Sequence, residues 1–126
     1  MDDDWIEFER RQHGATSEYY ISLNDTGEFR MNAPLYEKFG RPEAVTLHFD
    51  PNSNRIGMRR SEPGRANALR VRNRRDSGWV VRSRVFLREW DIRLGGTYFF
   101  PDLQIKDDML VLPLNTRFNA SLKRRR

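Results

Sequence analysis

A chain of 126 residues with 15 aromatic side chains and a mean hydropathy of -0.84 is long enough for one cored domain and too aromatic for a disordered chain. It has no cysteine, which excludes disulfides and thiolate metal sites, and its two histidines, His13 and His48, stand apart from any metal-ligand spacing. The net charge of +5 is carried by 23 basic residues, of which 20 are arginine.

The first 16 residues read as a flexible arm with the acidic, aromatic run Trp5-Ile6-Glu7-Phe8-Glu9. An acidic start and the lack of any long apolar run argue against a leader or a membrane span, so a cytoplasmic protein is expected.

Residues 17–62 form the first predicted unit. Tyr20 to Leu23 alternates as a strand, Asn24-Asp25-Thr26-Gly27 turns, and Glu28 to Met31 returns as a second strand. Asn32 is suited to cap a helix, Pro34 fits its first turn, and Gly40 ends it, leaving Leu35, Tyr36 and Phe39 on one face. Ala44 to Phe49 and Arg55 to Met58 follow as a hairpin about Asp50-Pro51-Asn52-Ser53-Asn54. That turn lacks the glycine and distal glutamate of a calcium loop. His48 falls between Leu47 and Phe49 and points outward.

Pro63 and Gly64 mark residues 63–68 as a linker. Residues 69–114 then repeat the first order of elements. Gly78 stands 51 positions after Gly27, and Ser83 takes the place of Asn32 as a cap. Phe86, Leu87 and Trp90 take the places of Leu35, Tyr36 and Phe39. Thr97 to Phe100 and Met109 to Leu112 are the closing strands, joined through Pro101 to Asp108. Neither unit alone covers its apolar faces, so the two are expected to share one core with Leu35, Phe39, Phe86 and Trp90 inside. Residues 115–126 end in Lys123-Arg124-Arg125-Arg126 and read as a basic tail.

The order strand, glycine turn, strand, short helix and hairpin, carried by Asp25 to Met31, Leu35 to Gly40 and Val45 to Ile56, resembles the swapped-hairpin family typified by AbrB and MraZ, transcription regulators of bacteria. The resemblance covers residues 20–60 well and 69–114 more loosely. The first unit has Asn32-Ala33 where a proline is usual, and the second has Asp91 where glycine would stand. It implies a mostly β fold with short helices, in which two tandem ββαββ units close one barrel as an intramolecular pseudo-dimer. Finished barrels could associate further.

The same resemblance implies duplex DNA as partner and places the contacts on the turn and helix side. In the second unit these are Arg72, Arg74, Arg75, Arg82, Arg84 and Arg88. Arg70, Arg72 and Arg74 alternate and would make one stripe about 13 Å long on a strand. The first unit supplies Arg30, with Asn24 and Lys38, flanked by Asp25 and Glu28. Residues 65–93 carry +6 while 17–64 carry -1, so binding is expected to be lopsided. A GC-rich genome explains part of the arginine excess but not this clustering.

Two alternatives accompany that reading. One is an antitoxin-type module whose terminal arm grips a protein partner. The other is a single-stranded nucleic-acid binder that stacks bases on Tyr98, Phe99 or Phe100. No nucleophile–base pair, phosphate loop or paired carboxylate emerges, so no enzyme, cofactor or metal is expected.

Overall fold

The computed structural model describes residues 18–75 and 78–119. The expected N-terminal arm and the Lys123–Arg126 end lie outside these. The described chain is mostly β, with strands β1 (Ile21–Leu23), β2 (Glu28–Met31), β3 (Ala44–Asp50), β4 (Arg55–Ser61), β5 (Leu69–Arg70), β6 (Arg72–Arg74) and β7 (Gly78–Arg82). The remaining strands are β8 (Tyr98–Phe99), β9 (Gln104–Lys106), β10 (Met109–Pro113) and β11 (Phe118–Asn119), and the helices are α1 (Ala33–Lys38) and α2 (Arg84–Glu89). No described helix is long and apolar enough to cross a membrane.

The strands form two antiparallel sheets, of order β11-β8-β1-β2-β7-β6 and β5-β3-β4-β10-β9. They do not close into the expected barrel. Each sheet has two edge strands, and several edges are only two or three residues long, a length that limits edge-to-edge pairing. Alternation along β1 and β2 turns Ile21, Leu23, Phe29 and Met31 inward, where they meet Ile56, Met58, Leu110 and Leu112 of the second sheet, all fully buried. Leu35, Phe39 and Phe86 join this core as expected.

Local chemistry explains most of the elements. Asn24 Oδ1 accepts from the amides of Thr26 and Glu28, both at 3.0 Å, and so shapes the β1–β2 turn. Asp50 Oδ1 accepts from the amides of Asn52 and Ser53 in the same way, which makes that loop a hairpin turn. α2 begins and ends 51 positions after α1. Asn32 and Ser83 cap the two helices by accepting from the amides of Leu35 and Phe86. Both helices close alike, with the Arg41 amide donating to Tyr36 O at 2.9 Å and that of Ile92 to Leu87 O at 2.8 Å.

Asn32 does more than Ser83. Its Oδ1 also accepts from the Tyr20 amide at 3.1 Å, and its Nδ2 donates to Glu18 O at 2.8 Å. Asn32→Ala is therefore expected to cost about 2 kcal/mol and Ser83→Ala about 1 kcal/mol. Urea unfolding midpoints measure both, and equal losses would contradict the extra bonds.

The halves are cross-paired at the centre of each sheet. In the first, Glu28, Phe29, Arg30 and Met31 of β2 oppose Arg82, Val81, Val80 and Trp79 of β7. In the second, β4 runs against β10 with Gly57 opposite Val111 at the middle. Gly27, at φ +85°, leaves no room for a Cβ against the backbone of Ser83 and Arg84, and its carbonyl accepts from the Ser83 amide at 2.9 Å. Gly78, at φ +83°, packs as tightly on the Met31 carbonyl beside Asn32. Each turn glycine thus abuts the cap of the other helix.

Four expectations need correction. Arg70, Arg72 and Arg74 do not share a strand: the chain leaves the second sheet after Arg70 and joins the first at Arg72, with Val71 at the crossing. β8 does not form a hairpin with β10. It pairs β1 and β11 in the first sheet, and β10 takes β9 from within the expected connection. The segment expected as a tail contributes β11. Trp90 is 41% exposed, because Phe86 and Leu87 fill the space beneath α2 and its indole leans outward on Phe49, 5.2 Å between ring centres.

Candidate nucleic-acid interface

Antiparallel partners directly opposite each other project to the same face, so the register fixes which arginines meet. Phe29 and Met31 point inward, which sends Glu28 and Arg30 outward. Arg82 opposes Glu28, Val80 opposes Arg30, Arg72 opposes Val80, and Arg74 opposes Gly78. Arg30, Arg72, Arg74 and Arg82 therefore stand on one outer face across three adjacent strands, with strand spacings of about 4.8 Å. All four are exposed.

Glu28 lies beneath them, its side chain only 6% exposed. Arg30 donates to Glu28 Oε1 from Nη2 at 2.8 Å and from Nε at 3.1 Å, while Arg74 Nη1 stands 3.7 Å from Oε2. The hydrogen bond from Arg30, opposed by burial and aided by the charges of Arg30, Arg74 and Arg82, holds the Glu28 carboxyl below its ordinary pKa. One carboxylate thus braces two guanidiniums and leaves their outer edges free. In the sequence Glu28 reads only as a charge flanking the turn. Its i, i+2 spacing to Arg30 on a strand is the signal that marks it as a partner.

A depressed carboxyl pKa stabilises the fold at pH values above the unfolded pKa, near 4.3, and that contribution disappears as pH falls through the folded pKa. Glu28→Gln should be less stable than the parent at pH 7, and the gap should shrink steadily below about pH 4.3. A gap independent of pH in urea titrations between pH 7 and 3 would contradict this role.

The other expected contacts distribute around this face. Arg75 is exposed in the turn after β6, and Arg84 and Arg88 are exposed on α2, which follows directly from β7. Arg70 belongs to the other sheet. The expected stacking surface is not formed: Phe99 and Phe100 are 3% and 2% exposed, and the Tyr98 ring is covered by the Arg117 guanidinium at 4.7 Å. His48 is exposed and shares a 2.8 Å hydrogen bond with Thr46 Oγ1; desolvation and then Arg59 lower its pKa, which favours the neutral ring. Among the described residues no three His, Asp or Glu side chains are grouped to hold a metal ion.

No family model, no curated protein and no solved structure matches this chain.

Proposed function

We propose that the protein is a duplex-DNA-binding regulator of the AbrB/MraZ-like type, in which two ββαββ units within one chain interlock and the arginine face of the first sheet lies on phosphate. The observation that carries the proposal is the convergence of Arg30, Arg72, Arg74 and Arg82 on one outer face with a single braced carboxylate among them. Guanidiniums are suited to bidentate contact with phosphate oxygens and with guanine edges. The face draws one arginine from the first unit and three from the second, so contact through it would be lopsided.

Interlocking is supported by the cross-paired central strands, by the 51-residue offset of the helices, and by the reciprocal seating of Gly27 and Gly78 on opposite caps. Anisotropy titrations of the intact protein against duplex DNA, single-stranded DNA and RNA at several salt concentrations test the function. Duplex binding that weakens linearly in log salt is expected. Tighter binding to single strands, or none to duplex at about 50 mM salt, would refute it.

A further inference from the structure

Val85 and Trp90, at 65% and 41%, are the large apolar side chains left exposed among the described residues. Single exposed apolar residues are ordinary, but these two meet at one place. They border an open cleft of about 960 Å³ between α2, the outer end of β3 and the turns before β5. Leu47, Phe49, Leu69 and Phe86 complete an apolar floor, and Arg59 and Arg65 stand on its margin against the single carboxylate of Glu89, while Arg60 beside them is bridged to Asp108. An apolar centre with a charged rim is the anatomy of a peptide-binding surface. A nucleobase site would instead need a free aromatic face, and Trp90 is inclined onto Phe49.

The occupant must supply apolar anchors and carboxylates together. Asp2-Asp3-Asp4-Trp5-Ile6-Glu7-Phe8-Glu9 has five carboxylates and three large apolar side chains in eight positions, with no cation before Arg10. In an extended segment Ile6 and Phe8 face one way and Glu7 and Glu9 the other, which matches an apolar floor under a basic rim. The chain from Glu9 to Glu18 reaches about 30 Å, roughly twice the expected radius of gyration of about 14 Å, which is long enough to lay the segment over a neighbouring face of the body. We infer that the cleft receives the chain's own Asp2–Glu9 segment. Arg59 lies on β4 of the second sheet and Arg65 before β5, while the proposed DNA face is carried by β2, β6 and β7 of the first sheet, so either role can fail without the other.

The test compares the intact protein with two full-length variants, I6A/F8A and D2N/D3N/D4N. The methyl resonances of Val85 and the indole resonance of Trp90 are expected to shift in both variants, most in the first. A fluorescein-labelled peptide of residues 1–10 should bind I6A/F8A at least tenfold more tightly than the parent, whose own segment competes at an effective concentration of about millimolar. Adding R59A and R65A to I6A/F8A should weaken the peptide about tenfold or more. Unchanged resonances in both variants, or equal peptide binding to parent and variant, would overturn the inference. So would resonance positions that depend on protein concentration, which would assign the segment to a second copy. Displacement of the peptide by a short oligonucleotide that itself shifts Val85 would overturn it too, by assigning the cleft to nucleic acid.

Discussion

Alanine at Gly78 is expected to lower the unfolding free energy by about 2–5 kcal/mol, and alanine at Gly27 by a similar amount. At φ +83° and +85° an L side chain costs about 1–2 kcal/mol before any contact is counted. The added Cβ at Gly78 would then overlap the Met31 carbonyl oxygen, and that at Gly27 would sit 2.7 Å from backbone atoms of Ser83 and Arg84. Backbone cannot rotate aside as a flexible side chain would, so relief requires β2 and β7 to part from the opposite helix cap, adding about 1–3 kcal/mol. A domain of this kind is stable by about 5–15 kcal/mol, and the double variant should lose most of it. Gly64 is the control: nothing lies within 4 Å of where an alanine methyl would stand and its φ is ordinary, so alanine there should change stability by less than about 0.5 kcal/mol. Urea unfolding followed by tryptophan fluorescence measures the parent and each variant. A loss below about 1 kcal/mol at Gly78, less than the conformational cost alone, would mean that the two turns are not seated as described.

The same glycines show which parts of this fold were legible in the sequence. Gly27, Gly78, Asn32 and Ser83 act through neighbours a few positions away, so turn and cap chemistry exposes them, and the two helices follow. What the glycines pack against is set by the fold as a whole, and no spacing reveals it. The strand errors have the same origin. Arg70, Arg72 and Arg74 keep perfect alternation while the chain passes from one sheet to the other at Val71, because a crossing needs no change in period. Of the arginine face, Arg72 and Arg74 are marked by charge and alternation, while Arg30 and Arg82 are candidates only through the family resemblance. Their convergence over Glu28 depends on the β2–β7 register, which is a long-range property. Trp90 occupies the helical position at which Phe39 is buried, yet it is excluded from a core already filled by Phe86 and Leu87.

The arginine face should reveal itself most clearly in the salt dependence of duplex binding. Arg30 and Arg74 are tied to Glu28, and removing either would leave a buried carboxylate short of partners and confuse folding with binding. Arg72 and Arg82 do not bridge to that carboxylate, so R72A/R82A is the informative variant. If each guanidinium meets one phosphate, the slope of log affinity against log salt should fall by about 1.8 for the pair. That slope corresponds to roughly a 60-fold loss of affinity at about 0.1 M salt relative to a reference of about 1 M, where the counterion contribution vanishes. R41A removes a charge paired with Glu37 at the end of α1 and should leave the slope unchanged within error. The loss should be similar for unrelated duplex sequences if Arg72 and Arg82 touch only phosphate, and concentrated on particular sequences if either reaches a base edge. A slope equal to that of the parent, with circular dichroism and unfolding midpoint preserved, would show that these arginines only solvate the sheet, and duplex contact would then have to be sought elsewhere on the molecule.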